Sequence, residues 1–369
     1  MSSLPAPPGS RPGPGRARGG RFAWRLAVLA GLLTLTVVQA TWSRALEAAR
    51  APYRLGQYTQ SLRAALDHLD RRPWSREAAR LAALSLSRLD FPDQAEPYYR
   101  RAGSLSREDL QVRALAIHRA NRRPEAIAAY TDILKRWPDD PTTLRRLAVL
   151  LVTQGDMQGA IRLAERLARS PDRLEAIRGL TMLGSFNHNI RDHERSASAF
   201  ARVLELDPEL NDQPLPRRQF WVEYAQELIE LGQTDRARDI LARALREAGD
   251  DAELWTLVGQ SYHLEGASED AERAYRRALE LDPNATLARV NLGQTLLARG
   301  QAEEAVETLR RVLEQQPNHY TALYNLILAN RRLGRIEEAD RLQRRADELR
   351  RRHGPPTTGM GGPPSSPSP

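Results

Sequence analysis

The C-terminal half of the chain repeats at a constant interval, and this period limits the possible folds more than any other feature. Similar segments begin at Arg218, Ala252, Thr286 and Tyr320, each equally far from the one before. Position 15 of every segment is glycine, position 20 is alanine, and position 8 is small in three of the four. A constant interval indicates that the chain adds one supersecondary unit at a time and does not enlarge a single core.

The residue types at these positions predict a helix–turn–helix in each segment. Small residues at positions 8 and 20 allow two helices to approach closely, and Trp255, Tyr262 and Tyr275 fill the space beside them. A glycine near position 15 ends the first helix, where a left-handed backbone is needed. Pro283 and Pro317 follow the second helix of their units and prevent it from continuing.

This pattern resembles the tetratricopeptide repeat, a helix–turn–helix of about 34 residues. Weaker copies with occasional insertions begin at Trp42, Arg76, Arg107, Pro141 and Ile177. The resemblance implies an all-α fold, a right-handed α-solenoid of about nine stacked repeats over residues 43–352. A generic helical bundle would also show helical spacing of apolar residues, but it does not predict a constant period. Residues 211–217 interrupt the phase and predict a lengthened loop or a bend.

Residues 22–42 predict one transmembrane helix before the solenoid. No residue from Leu26 to Ser43 is charged, and 21 helical residues span about 31 Å, close to the thickness of a bilayer. Trp24 and Trp42 lie near the two ends, where aromatic rings favour the membrane interface. Two alternatives remain open, namely a cleaved signal peptide, which the small residues around 38–40 would suit, and a buried soluble helix.

The segments at the two ends of the chain are predicted to be disordered because of their composition. Residues 1–21 are rich in Pro, Gly, Ser and Arg, and residues 353–369 in Pro, Gly and Ser. Five arginines precede the centre of the apolar segment, whereas three follow it closely. The positive-inside rule therefore predicts a single-pass membrane protein with a cytoplasmic N-terminus and extracytoplasmic repeats, which would be periplasmic in a bacterium.

Neither composition nor motifs indicate catalysis. The chain has no cysteine, which excludes disulfides and thiolate metal sites. It contains no nucleotide-binding glycine motif and no HExxH motif. His188 and His193 are five residues apart across a predicted turn, so no metal site is expected there. We therefore predict no catalytic residue, no metal, no cofactor and no enzymatic activity.

The predicted partner is a protein or peptide, because first helices of tetratricopeptide arrays line a concave groove that binds extended peptides or helices. Transferring the groove positions unit by unit gives the following candidates: Gln260, His263, Asn291, Gln294, Tyr324, Asn325 and Leu328. Asn291 and Asn325 hold the sixth position of successive units, where an amide can both donate to and accept from a peptide backbone. The alternative is that both asparagines form hydrogen bonds within the array.

The functional prediction is a membrane-anchored scaffold that binds protein or peptide partners in an envelope assembly. Membrane-anchored tetratricopeptide proteins that assemble cytochromes, pili or outer-membrane machinery look similar in layout. One alternative is an accessory protein of an enzyme complex, such as a glycosyltransferase or a cytochrome maturation system; an enzyme itself would need a catalytic domain. Another is nucleic-acid binding, but the net charge of +8 is small because 47 acidic residues are interspersed with the 55 basic ones. Neither nucleic acid nor a small-molecule substrate is therefore expected.

Overall fold

The computed structural model describes residues 46–353, which form helices only; none of these residues lies in a β-strand. Helix α1 occupies residues 46–54. The other helices are α2 (Tyr58–Arg71), α3 (Arg76–Arg88), α4 (Pro92–Ala102), α5 (Arg107–Arg119), α6 (Arg123–Arg136), α7 (Pro141–Thr153), α8 (Met157–Ala168), α9 (Arg173–Asn189), α10 (His193–Leu206), α11 (Arg217–Glu230), α12 (Thr234–Ala248), α13 (Ala252–Leu264), α14 (Ser268–Leu281), α15 (Thr286–Ala298), α16 (Ala302–Gln315), α17 (Tyr320–Arg332) and α18 (Ile336–His353).

The predictions for the two ends of the chain lie outside the described residues. They concern the leader 1–21, the transmembrane helix 22–42 and the tail that follows His353. Within residues 46–353, no helix combines the length and the apolar character needed to cross a bilayer.

The all-α fold predicted from the repeat is confirmed. Odd-numbered and even-numbered helices alternate as the first and second helices of consecutive hairpins. In the last four hairpins the second helices begin at Thr234, Ser268, Ala302 and Ile336, which are separated by the same interval as the four sequence segments. The sequence period is therefore the structural period.

The chain divides into two compact units, residues 1–143 and 144–369. In the described part of the first unit, α2 packs on α3, α4 on α5, and α3 on α5. A buried core of alanine and leucine side chains, including Ala65, Leu69 and Leu81, joins α2 to α3, and a second one with Tyr99 and Val112 joins α3 to α4 and α5. Between α3 and α5, the Arg80 guanidinium donates to both carboxylate oxygens of the buried Asp109 at 2.7 and 2.8 Å.

The second unit stacks its hairpins in the same order. Each first helix from α9 to α15 packs on the next first helix, and each second helix from α10 to α16 packs on the first helix that follows. One buried cluster centres on the edge-to-face rings of Phe200 and Phe220, whose centroids are 5.1 Å apart. A second cluster contains Tyr275, Leu309 and Leu323 and extends to the last helix.

Every hairpin turn between residues 46 and 353 contains one residue with a left-handed backbone. In six turns this residue is glycine, as predicted for the last four units. In the other three it is Asp90, Asn121 or Arg191, with φ of 64°, 60° and 60°. Glycine alone is therefore an incomplete marker of these turns.

The interruption of the phase before the sixth hairpin is a lengthened loop, residues 207–216. Asp207 is buried, and its carboxylate accepts backbone N–H groups from Asn211, Asp212 and Gln213 at 3.0, 2.8 and 3.1 Å. The fifth hairpin begins at Arg173, four residues before the predicted start at Ile177. This difference arises because α9 is 17 residues long, whereas the later first helices α13, α15 and α17 have 13.

Candidate partner-binding face

The first helices of the last three hairpins carry far fewer charges than the second helices. Helices α13, α15 and α17 contain 39 residues, of which four are charged, namely Glu253, Arg289, Arg331 and Arg332. Helices α14, α16 and α18 contain 46 residues, of which 24 are charged. We call the solvent-facing side of α13, α15 and α17 the first-helix face. Its composition favours apolar and amide contacts.

Three of the predicted contact residues hold position 9 of successive units. Gln260 and Gln294 are half-buried, and Leu328 is 36% exposed. Because these helices keep the same phase, equal positions point to the same side of the stack. Tyr324, at position 5 of the last unit, is 42% exposed, whereas Thr256 and Val290 at the same position are buried; α17 is the last first helix of the described residues, so no further first helix covers Tyr324. The structure therefore brings these four side chains onto the first-helix face.

His263 joins two of the helices that form this face. Its Nδ1 lies 3.4 Å from the Thr295 hydroxyl, so that α13 and α15 are linked. Burial lowers the pKa of His263 below its ordinary value. The imidazole is therefore neutral at pH 7, and the face keeps its low charge.

The two predicted asparagines differ in exposure. The half-buried Asn291 side chain lies near the buried hydroxyl of Tyr275, whose pKa is raised by burial, although the two groups do not meet the geometry of a full hydrogen bond. Asn325 is only 5% exposed, and its amide nitrogen has no acceptor among the described residues. The role of both in binding stays a prediction, and Asn325 would need a rearrangement to reach a ligand.

Two exposed leucines extend the face beyond the predicted residues. Leu264 is 59% exposed at position 13 of its unit, and Leu287 is 46% exposed at position 2. Positions 2, 5, 9 and 13 are separated by three or four residues and therefore share one side of a helix. This spacing was visible in the sequence and could have identified both leucines.

The preceding first helices of the second unit differ because their polar side chains are paired. Glu175 on α9 interacts with Arg145 on α7 at 3.2 Å and with Arg178 at 2.6 Å. Ser185 on α9 donates to Glu223 on α11 at 2.7 Å. These pairs occupy at least one polar side chain on each of α7, α9 and α11, whereas the exposed leucines of the first-helix face make no polar contacts.

A buried carboxylate links the fifth and sixth hairpins. Glu227 on α11 is 1% exposed, and its two oxygens contact the Nδ1 atoms of His188 and His193, the latter at 2.7 Å. The hydrogen bond to Glu227 raises the pKa of His188. Sequence reasoning gave these histidines no role, yet His193 and Glu227 lie one full repeat period apart in the chain. Among residues 46–353 no group of three side chains is arranged to hold a metal ion.

Comparison with known protein families identifies tetratricopeptide repeats in three segments. The family described as "Cytochrome c-type biogenesis protein H TPR domain" matches residues 240–349, which include the first-helix face. Two general tetratricopeptide repeat families match residues 113–173 and 191–260.

Relatives with curated names include Protein O-mannosyl-transferase TMTC1 from Homo sapiens, which is 25% identical over 201 residues. This match covers 54% of the present chain and 22% of the human protein. The Mus musculus protein of the same name is 25% identical over 147 residues, which are 40% of this chain and 15% of the mouse protein. The chain therefore spans less than a quarter of the length of these relatives.

Solved structures that resemble the chain include a crystal structure of MamA protein. It is 19% identical, covers 50% of this chain and 99% of its own, and has a TM-score of 0.41. MamA from Desulfovibrio magneticus RS-1, residues 41 to the end, is 21% identical over 48% of this chain and 96% of its own, with a TM-score of 0.43. The family matches and the helical hairpins together establish that the chain contains tetratricopeptide repeats.

Proposed function

We propose that the chain is a non-catalytic scaffold whose first-helix face binds a segment of a partner protein. The observation that carries this proposal is the exposure of Leu264, Leu287, Tyr324 and Leu328 on helices with almost no charge. Exposed apolar side chains that cluster on one surface mark interaction sites more often than scattered ones do. The repeats supply a rigid support for such a surface.

The chemistry of the face defines the partner segment. Apolar side chains of the partner would cover Tyr324 and Leu328, because burial of each such side chain contributes about 1.5–3 kcal/mol. The amides of Gln260 and Gln294 can donate to and accept from a peptide backbone of any sequence. An uncharged segment with apolar anchors therefore fits this face better than an acidic or basic one.

We also propose that residues 22–42 tether this scaffold to a membrane, with the N-terminus in the cytoplasm and the repeats on the other side. The uncharged length of this segment and the arginines before it support the proposal. Topology reporters fused after Arg21 and after Arg352 test it. Cytoplasmic activity of the first reporter only is expected, and cytoplasmic activity of both would overturn the orientation.

Partner binding is tested by crosslinking from the face itself. The chain has no cysteine, so one cysteine introduced at Gln294 can carry a photoreactive group without competing labels. A matched label at Glu307, exposed on α16, is the control. In native membranes we expect a discrete crosslink from position 294, lost in Leu328→Asp, and none from position 307. Equal crosslinking from both positions would contradict the proposal.

A role in cytochrome c maturation is a second candidate, and it rests on the family match over residues 240–349. This match includes all three helices of the first-helix face. If the candidate is correct, Leu328→Asp should reduce the amount of c-type cytochromes detected by haem staining, while the level of the variant itself is unchanged. Normal cytochrome levels in a strain that lacks the gene would exclude this role and leave the scaffold proposal intact.

A further inference from the structure

We propose that residues 354–369 of this same chain dock on the last part of the first-helix face, at Tyr324 and Leu328, and compete there with the partner. This inference rests on the proposed function, because it assigns a second occupant to the same surface. The chemistry of the segment, its attachment point and its length support this docking.

The segment matches the first-helix face in charge. Its sequence, GPPTTGMGGPPSSPSP, contains no charged side chain, six prolines and one methionine. Helix α17 carries two charged residues among 13, Arg331 and Arg332, both one turn beyond Leu328 and none beside Tyr324, whereas α18 carries 11 charged residues among 18. Burying the charges of α18 under an uncharged segment would cost desolvation energy with no compensating ion pair. Within the last hairpin, α17 is therefore the favoured surface.

The prolines suit an exposed aromatic side chain. Proline-rich segments favour the extended polyproline II conformation, which loses little conformational entropy on binding. Such segments are recognised by grooves that present aromatic rings. Tyr324 is the aromatic side chain that α17 exposes most, and Leu328 follows it by one helical turn on the same side.

The attachment point places the segment within reach. Helix α18 packs against α17 and has 18 residues, five more than α17. In an antiparallel hairpin these five residues carry His353 about 7 Å beyond the start of α17, and Tyr324 lies about 6 Å inside that start. Sixteen residues in polyproline II conformation span about 50 Å. The segment can therefore return along the full length of α17.

Attachment also makes weak contacts sufficient. A short flexible connection gives an effective concentration of about 1 mM, so that a segment with millimolar intrinsic affinity would occupy the face about half of the time. A partner that binds more tightly displaces it. Removal of the segment should therefore raise the apparent affinity of the partner about twofold.

A disulfide-trapping experiment on the purified full chain tests this inference. Leu328→Cys is combined with Met360→Cys, and Arg344→Cys with Met360→Cys is the control; the chain has no other cysteine. Arg344 is exposed on α18, and along the chain it is only half as far from position 360 as position 328 is. A segment without preference would therefore reach the control site sooner.

Under mild oxidation we expect the 328–360 disulfide to form at least about tenfold faster than the 344–360 disulfide, at a rate independent of protein concentration. Tyr324→Ala should slow the first reaction and leave the second unchanged. Equal or faster reaction of the control pair overturns the docking of the segment. The photocrosslink from position 294 separates the two proposals. A crosslink without selective formation of the 328–360 disulfide refutes only the docking of the segment. Selective formation of that disulfide without a crosslink refutes only the binding of a partner.

Discussion

Replacing Glu227 by glutamine should weaken the junction between the fifth and sixth hairpins. The buried carboxylate accepts hydrogen bonds from the Nδ1 atoms of both His188 and His193. A glutamine of nearly the same size offers one carbonyl oxygen, so one imidazole would face an N–H₂ group and lose its acceptor. A hydrogen bond to a charged group contributes about 1.5–3 kcal/mol. The local opening of α9–α11 should therefore become roughly 10- to 150-fold more frequent.

The penalty should be greater at acidic than at alkaline pH. The hydrogen bond to Glu227 raises the pKa of His188 above its ordinary value of 6.5, although burial opposes the shift. A raised pKa in the folded state means that this contribution is complete below pH 6.5 and is lost as pH rises through the folded-state pKa. Glu227→Gln removes the cause of the shift. The difference in stability between the wild type and the variant should thus decrease from pH 5.5 to pH 8.5.

Hydrogen exchange of α9–α11 amides, followed by mass spectrometry at pH 5.5, 7.0 and 8.5, measures this difference. When both proteins are compared at the same pH, their intrinsic exchange chemistry is nearly the same, so the ratio of rates reports the change in local opening. Glu230→Gln, an exposed change on the same helix, is the matched control and should have little effect. The reasoning is refuted if Glu227→Gln behaves like this control, or if its effect increases with pH.

Three further substitutions test the packing. For Gly179→Ala, the added Cβ would lie 2.3 Å from the backbone nitrogen of Ala168, so α8 and α9 must separate. We expect the overpacking cost of about 1–3 kcal/mol to exceed the gain of about 1 kcal/mol in helix propensity. An unchanged or higher Tm would contradict this. For Gly266→Ala, no atom lies within 4 Å of the new Cβ, but φ is +77°. Guanidinium denaturation should therefore show a free energy of unfolding lower by about 1–2 kcal/mol from the backbone strain alone. An unchanged free energy of unfolding would be inconsistent with this. Asp207→Ala removes an acceptor of three backbone N–H groups and should increase the rate of proteolysis within the loop 207–216. An unchanged cleavage rate would show that the loop does not depend on this carboxylate.

The sequence predicted the last four hairpins well because their turns and contacts use residues with narrow conformational roles. Glycine at position 15 and alanine at position 20 recur without exception there. Upstream, three of the five left-handed turn positions are not glycine but Asp90, Asn121 and Arg191. Aspartate and asparagine tolerate this conformation through local hydrogen bonds, but arginine has no such preference. The Arg191 turn is closed by a hydrogen bond from the Asp192 N–H to the Asn187 carbonyl, and equivalent bonds close the glycine turns, so the turn geometry is the same although its residue type gives no signal.

The candidate face was predictable to the extent that repeat position determines direction. Position 9 holds half-buried or exposed side chains in all three units, whereas exposure at position 6 depends on the preceding second helix. Beside Asn291 that helix provides Tyr275, a polar group at position 24, whereas position 24 of the next unit is Leu309, which offers no acceptor. The burial of Asn325 and the pairing of Glu227 with two histidines depend on such neighbours, and a single sequence does not specify them.

In the last three hairpins, the ion pairs that connect successive repeats involve the second helices, whereas on the first helices Arg332 of α17 donates to the Leu297 carbonyl of α15. Arg276 on α14 reaches Glu304 on α16 at 2.5 Å, and Arg299, just after α15, contacts Glu272 on α14. Glu272 is buried, so its pairs are less screened by water than exposed ones. These ion pairs and the buried core stabilise the stacking through the second helices. A partner can therefore bind to or leave α13, α15 and α17 without breaking the contacts that keep the repeats in register, which is why Leu328→Asp should abolish binding with little loss of stability.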